Sequence, residues 1–328
     1  MRVINLIDDV NLGGVTRGVA GLAHGLSPSI DVQLLAVRTS WRLAPMLNAD
    51  VAVIDFTLSW AKLAFLVSLR CRFRGPVVIV EHSYTRAFEQ QCVNSRRRFR
   101  FFLRLCFRLA HKVVAVSEGQ ADWMIDAGLV KVERLVCIPQ AIDIEYLADQ
   151  PLTQRQSGPL RLGAYGRFVK QKGFDTLLKA MRSISPEIAT LDLAGYGPEG
   201  AALKALAGDL PHVRVHGLAT NLPSFLKQID CVIVPSRWEA YGLVAHEARA
   251  AGKPLIATSV DGLVEQLRSG CGLLTPPNDQ AGLAESIRTM AGLDLEAMAV
   301  AARLSTTGCL HRKLEAWRQL FTAAVAVA

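Results

Sequence analysis

Short apolar runs rich in β-branched residues alternate along this chain with polar-striped segments of helical length. The first series of runs is RVINLI (2–7), DVQLLAV (31–37), VAVIDF (51–56), PVVIVEH (76–82), KVVAVS (112–117) and RLVCIP (134–139). After a polar stretch the rhythm restarts with LRLGAYG (160–166), ATLDLAG (189–195), VRVHG (213–217), CVIVPS (231–236), KPLIAT (253–258) and CGLLTP (271–276). Strands that are apolar at nearly every position have both faces covered, the mark of parallel sheets flanked by helices. Two series of six therefore predict two doubly wound α/β domains. The boundary is expected in 148–159 (ADQPLTQRQSGP), which is poor in large apolar residues and carries two prolines. That gives an N-terminal domain over 1–147, a linker over 148–159, a second domain over 160–308 and a terminal helix over 309–328. The helix presents Leu314, Trp317, Leu320 and Phe321 as one stripe, and its pattern leaves open a return onto the first domain. Ligands of open α/β sheets sit beyond the carboxyl ends of the strands, so function is sought in the loops that leave them.

Composition narrows the class. A chain of 328 residues, 51% hydrophobic and 20% charged, excludes disordered and collagen-like sequences. No apolar run approaches the ~20 residues that span a bilayer; the run 63–69 is cut by Lys62 and Arg70. Acids at Asp8 and Asp9 follow the first run where the apolar stretch of a signal peptide would continue, so a cytoplasmic protein is expected. Seven scattered cysteines without a CxxC pair fit neither a disulfide framework nor a zinc site. The net charge of +8 is too modest to imply nucleic acid.

The densest chemistry follows CVIVPS: Ser236-Arg237-Trp238-Glu239-Ala240-Tyr241-Gly242-Leu243-Val244-Ala245-His246-Glu247-Ala248. Two glutamates stand eight apart, one at a strand end and one in the first turns of a helix. Gly242 lets backbone approach a ligand, and free N–H groups at the helix start favour an anion. The plain alternative is a solvated loop glutamate and a second one favoured by the helix dipole. Directly after LRLGAYG, the loop Gly166–Asp175 carries Arg167, a planar fork, and Lys172, a point charge, both suited to a diphosphate. Tight turns follow at Leu193-Ala194-Gly195-Tyr196-Gly197-Pro198, at Asp261-Gly262 and at Gly270–Pro277.

The succession G-R-x4-K-G, A-G-x-G-P, P-S-x2-E-A-x-G-L-x3-E-A and G-x-P-x-I-A-T resembles the retaining glycosyltransferases of family four, which have the GT-B fold of two Rossmann-like domains facing across a cleft. The likeness covers residues 160 to about 286, with weaker matches in the first half and at the terminal helix. It implies that Glu247 binds the ribose of a nucleotide and that Glu239 contacts the donor sugar. Backbone around Ala240, Tyr241, Gly242 and Leu243 would hold sugar hydroxyls and phosphate, with the Gly195 and Gly197 turn nearby. Arg167 and Lys172 would grip the diphosphate and stabilise the leaving group. In the first half, Gly13, Gly14 and Arg17 match a glycine-rich loop near the phosphates, His82 a histidine near the donor sugar, and Ser117 a serine at the interdomain mouth. Departures fall at Gln140-Ala141, where the family has Asn-Gly, at Asp261-Gly262, where it has Gly-Gly, and at Ala240-Tyr241 within the glutamate turn; they bear on the identity of the donor sugar. The implied reaction moves a sugar from a UDP- or GDP-sugar to an acceptor hydroxyl, with no cofactor and no metal, and no DxD pair stands in a suitable loop. A sugar-nucleotide epimerase of the same fold, and a non-catalytic sugar-nucleotide-binding protein, are the alternatives.

Charge is uneven. Residues 59–112 hold twelve basic residues and two acidic ones, a surplus of ten against +8 for the whole chain. The segment 96–109 (RRRFRFFLRLCFRL) interleaves arginines with aromatic and aliphatic residues, which suits an anionic lipid surface. Arg96, Arg97, Arg98, Phe99, Arg100, Phe102 and Arg104 are the expected membrane contacts; a core helix with a solvated arginine face is the competing reading. Membrane contact implies a lipid-linked or glycan acceptor in polysaccharide or lipopolysaccharide assembly, and a peripheral position on the inner face of the cell membrane.

Overall fold

The structure, a computed structural model, describes residues 1–8, 14–153, 155 and 157–326, with the side chains of 14–16 left aside. The chain divides into two compact units, Met1–Ile142 with Gly308–Ala328, and Asp143–Thr307.

In the first unit the apolar runs become β1 (Arg2–Ile7), β2 (Asp31–Ala36), β3 (Val51–Ile54), β4 (Val77–Glu81), β5 (Lys112–Ala115) and β6 (Leu135–Cys137). Between them lie α1 (Gly14–Leu26), α2 (Leu63–Arg72), α3 (Arg86–Cys92), α4 (Arg96–Arg108) and α5 (Glu118–Asp126). The second unit opens with α6 (Glu145–Ala148). It continues with β7 (Leu160–Arg167), α7 (Phe174–Met181), β8 (Ala189–Tyr196), α8 (Gly200–Ala207), β9 (Val213–His216), α9 (Leu222–Lys227), β10 (Cys231–Val234) and α10 (Leu243–Ala250). Then come β11 (Leu255–Thr258), α11 (Asp261–Gln266), β12 (Gly272–Thr275), α12 (Gln280–Ala291) and α13 (Leu295–Thr306). The last helix, α14 (Cys309–Ala326), belongs to the first unit.

Among the described residues the strands form two parallel sheets of six, ordered β2-β1-β3-β4-β5-β6 and β12-β11-β10-β7-β8-β9. The central strands β3, β4, β10 and β11 are buried at every position, because helices cover both faces. The edge strands β2 and β9 bury only part of theirs. Chain order reverses between β1 and β3 in one sheet and between β7 and β10 in the other. Such switch points leave a crevice outside the carboxyl ends of the flanking strands.

In the stretch expected to be a linker, Gln150 and Thr153 are tied to the second unit. Thr153 is buried, and its hydroxyl donates to the Gly252 carbonyl at 3.1 Å, while Arg303 donates to the Gln150 carbonyl at 2.6 Å. Likewise α6, at the end of the expected first domain, packs on α10 of the second unit. Composition marked a polar stretch, but main-chain carbonyls and Leu147 found partners on the second unit. α14 packs on α1 and β3 with Trp317, Leu320 and Phe321 buried. Among the described residues no helix is long and apolar enough to cross a membrane.

Candidate functional site

The loops leaving β7 and β10 flank the switch point of the second sheet. β7 ends on Arg167, which is exposed. One turn of 3-10 helix, Lys170–Lys172, follows, and Gly173 in the left-handed region (φ 63°) starts α7. After β10 the chain runs to Gly242, also left-handed (φ 95°), from which α10 begins. The two loops are stitched together by the backbone N–H of Arg237, which donates to the Gln171 carbonyl at 2.7 Å. The Gln171 side chain donates in turn to the Trp238 carbonyl at 3.0 Å.

This stitching brings Lys172 against Glu239. The ammonium donates to Glu239 Oε2 at 2.5 Å, with the two side chains 15% and 12% exposed. Ser236 Oγ donates to the same oxygen at 3.1 Å. The Glu239 N–H donates to the Asp261 carboxylate at 3.3 Å. Glu247, the second predicted glutamate, is buried on α10. Ala240 and Tyr241 are also buried, and the carbonyls of Tyr241 and Gly242 both accept from Gln266 Nε2. The arrangement is a buried acid and a near-buried cation at a switch point, beside an exposed guanidinium and the start of a helix. It offers a place for a polyanion and acceptors for hydroxyl groups.

Arg237 received no role from the sequence, yet it organises the site. Its fork donates to both oxygens of Asp175 at 2.9 and 2.8 Å, and its Nε to Asn278 at 2.6 Å, joining three βα loops. Burial raises the Asp175 pKa, but the guanidinium outweighs it and holds the carboxyl below its ordinary range. The local signal was an arginine between two predicted site residues; its partner lies 62 residues earlier. Gly195 and Gly197 serve the framework. A Cβ on Gly195 would lie 2.0 Å from the Gly166 carbonyl, and one on Gly197 (φ 148°) 2.5 Å from that of Phe168. Strand packing therefore excludes a side chain at Gly195.

In the first unit the switch point gathers Asn5 of β1, Asp55 after β3 and His82 after β4. His82 Nε2 lies 3.0 Å from Asp55 Oδ1, and Asn5 donates to Asp55 Oδ2. Ser117 is fully buried and caps α5, accepting from the Gln120 N–H. Gly13 lies outside the described residues; Gly14 is the first residue of α1, and Arg17 is exposed on it.

On α4 the structure divides the expected membrane contacts. Arg96, Arg97 and Arg98 are exposed, with Arg98 over the Trp60 ring at 5.9 Å. Phe102 is not a surface residue: it is 3% exposed and packs in the core beside Trp60, with ring centroids 4.7 Å apart. Phe99 packs edge-on to Tyr84. Arg100 is held by the buried carboxylate of Glu89 at 2.6 Å, and Arg104 donates to the Ala127 and Gly128 carbonyls. The helix thus follows its amphipathic period, one face in the core and one in solvent, and the aromatic residue it exposes is Phe101, at 60%.

Two family models match the chain, Glycosyl transferases group 1 over residues 159–292 and Glycosyltransferase Family 4 over residues 34–146. An uncharacterized glycosyltransferase of Methanocaldococcus jannaschii is 30% identical over 194 residues, 57% of this chain and 52% of its own. A lipopolysaccharide core biosynthesis glycosyltransferase of Rhizobium meliloti is 36% identical over 129 residues, 38% of this chain and 37% of its own. The chain spans about half the length of these curated relatives or less. The crystal structure of Anabaena HepE in complex with UDP and glucose superposes with a TM-score of 0.73 at 19% identity, covering 98% of this chain and 99% of that one. Each of the two units thus matches a glycosyltransferase model of its own, and the chain has the GT-B fold.

Proposed function

We propose that this protein is a retaining glycosyltransferase that moves a sugar from a UDP- or GDP-sugar to the hydroxyl of a lipid-linked or glycan acceptor, in polysaccharide or lipopolysaccharide assembly. The observation that carries this is the Lys172–Glu239 contact at the switch point of the second sheet. Before donor binds, the acid neutralises the cation. An incoming diphosphate competes for Lys172, and the released carboxylate accepts hydroxyls of the sugar, so one exchange readies both halves of the site. Glu247 takes the ribose hydroxyls.

As the glycosidic bond breaks, negative charge grows on the β-phosphate oxygen. Lys172, Arg167 and the first N–H groups of α10 stabilise it without reorganising, and these groups supply the charge without a metal. The acceptor oxygen bonds to the anomeric carbon on the face the phosphate leaves, and its proton passes to the departing phosphate oxygen. His82 takes part in transfer through a ring nitrogen that accepts from a hydroxyl group. The HepE complex, which holds UDP and glucose, and the lipopolysaccharide assignment of the Rhizobium meliloti relative support the choice of donor and acceptor class. Exposed Arg96, Arg97, Arg98 and Phe101 suit the surface of an anionic bilayer, where such an acceptor lies.

The test is a panel of UDP- and GDP-sugars scored by thermal shift and then by transfer to extracted glycolipid. Stabilisation by one donor, followed by product with unchanged anomeric configuration, is the expected result. A chain that no nucleotide sugar stabilises would refute the proposal.

A further inference from the structure

The first unit gathers four polar side chains around one small cavity, with Asn5, Asp55 and Lys313 buried and His82 half-buried, and the reaction as described uses only His82. Asp55 is fixed by the sheet: its N–H donates to the Leu6 carbonyl at 3.0 Å, and its side chain is 4% exposed. Each carboxylate oxygen has its own partner, Asn5 Nδ2 at Oδ2 and His82 Nε2, 3.0 Å away, at Oδ1. An ionised carboxylate only accepts, so the proton between Asp55 and His82 belongs to Nε2. In the neutral ring, Nδ1 is then an acceptor; it is buried and has no partner among the described residues. A cavity of about 30 Å³ is walled by Asn5, Asp55, His82, Gln140, Lys313 and Trp317.

Lys313 reaches this cavity from α14. It is 8% exposed, and its ammonium donates to the Ala141 carbonyl at 2.8 Å. Burial pulls its pKa down to about 8 although the Asp55 charge acts the other way. A buried cation and a buried anion around one cavity each make the other tolerable, and removal of either strands its partner.

We propose that Asp55 is a positioning residue for His82, fixing the imidazole with its proton on Nε2 and Nδ1 as the acceptor, and that Lys313 of the C-terminal helix balances the charge of this pair. The participation of His82 in transfer rests on the function proposed above; the Asp55–His82 arrangement does not.

The experiment uses the full chain with 15N-labelled histidine, and reads the ring nitrogens of His82 across pH before any substrate is added. Among the described residues, Asn5, Gln140 and Lys313 line the same cavity and Glu81 interacts with His82, so besides Asp55 the titratable groups to follow are Glu81 and Lys313. In Asp55→Asn the amide presents a donor to Nε2, so the proton moves to Nδ1; Asp55→Glu restores the Nε2–H form. Asp55→Asn also removes the charge that opposes burial at Lys313, so the Lys313 ammonium, read with 15N-labelled lysine, deprotonates at lower pH. An unchanged tautomer in Asp55→Asn overturns the positioning role, and an unchanged Lys313 titration in the same variant removes the lysine from the arrangement. Backbone spectra check that each variant is folded. In transfer assays Asp55→Asn lowers kcat by about 10²-fold or more with donor KM little changed, and Asp55→Asn/His82→Ala is no slower than His82→Ala. If the tautomer shifts but His82→Ala transfers sugar at the wild-type rate, the dyad stands and the role given to His82 in transfer falls.

Discussion

Gly173 and Pro235 are so close that a Cβ built on the glycine would lie 2.1 Å from the proline carbonyl oxygen. One residue opens α7 and the other ends the strand run of β10, so this contact lets the two loops of the switch point lie against each other. Gly173 also holds φ at 63°, a conformation costly for residues with a side chain. Gly173→Ala is expected to lose about 2 kcal/mol or more of stability, a strained φ added to a clash with rigid backbone. Denaturant unfolding measures it. Wild-type stability in this variant would show that the loops are free to separate.

Lys172→Ala leaves Ser236 as the side-chain donor to Glu239 among the described residues. The fold is expected to persist, since both members of the pair keep some contact with solvent. Transfer should fall by about 10²- to 10³-fold, the loss seen when one donor to a developing anion is removed. Steady-state kinetics at saturating donor reads this directly, and a wild-type kcat would detach Lys172 from the leaving group.

Glu81, just before His82, is fully buried. Burial raises its pKa above 4.5, only partly opposed by the N–H groups of Tyr84 and Ser83 and by His82. Between 4.5 and the raised value, the folded chain holds a proton that the unfolded chain has released. Stability therefore falls as pH rises through that window and levels off above it. Both N–H groups donate to Oε1, at 2.8 and 3.0 Å, so the amide oxygen of Glu81→Gln can keep both bonds. The variant should gain stability relative to wild type as pH increases from 4.5. Unfolding curves at several pH values test this; a difference independent of pH would mean that the carboxyl is not penalised by burial.

Neighbouring phenylalanines on α4 should behave oppositely. Phe102→Ala is expected to cost about 3–5 kcal/mol, the range for a large side chain removed from a core, and Phe101→Ala within about 0.5 kcal/mol of wild type. Neutralising Arg96, Arg97 and Arg98 together should leave the melting temperature unchanged. Binding to vesicles rich in anionic lipid should weaken by about 1 kcal/mol for each charge that faces the surface. Cosedimentation with such vesicles at low salt is the measurement, and equal binding by the triple variant would place the contact elsewhere.

The twelve strands, the two series and the helical terminal segment were legible in the sequence because they are local. An apolar run covered on both faces, or a stripe at helical spacing, is written in consecutive residues. Lys172 and Glu239 were legible for the same reason, each following an apolar run whose end opens a βα loop. That they would touch across 67 residues was not, nor was the part of Arg237, because both depend on β7 and β10 becoming neighbours. The gathering of Asn5, Asp55 and His82 likewise waited on the order of β1, β3 and β4. Only packing could separate Phe101 from Phe102, one residue apart on a helix whose burial follows the direction of its side chains. Short-range periodicity is enough to set which elements form and which loops carry charge. Tertiary structure alone decided which of those charges meet, because strand order and helix docking are set by contacts between residues far apart in the chain.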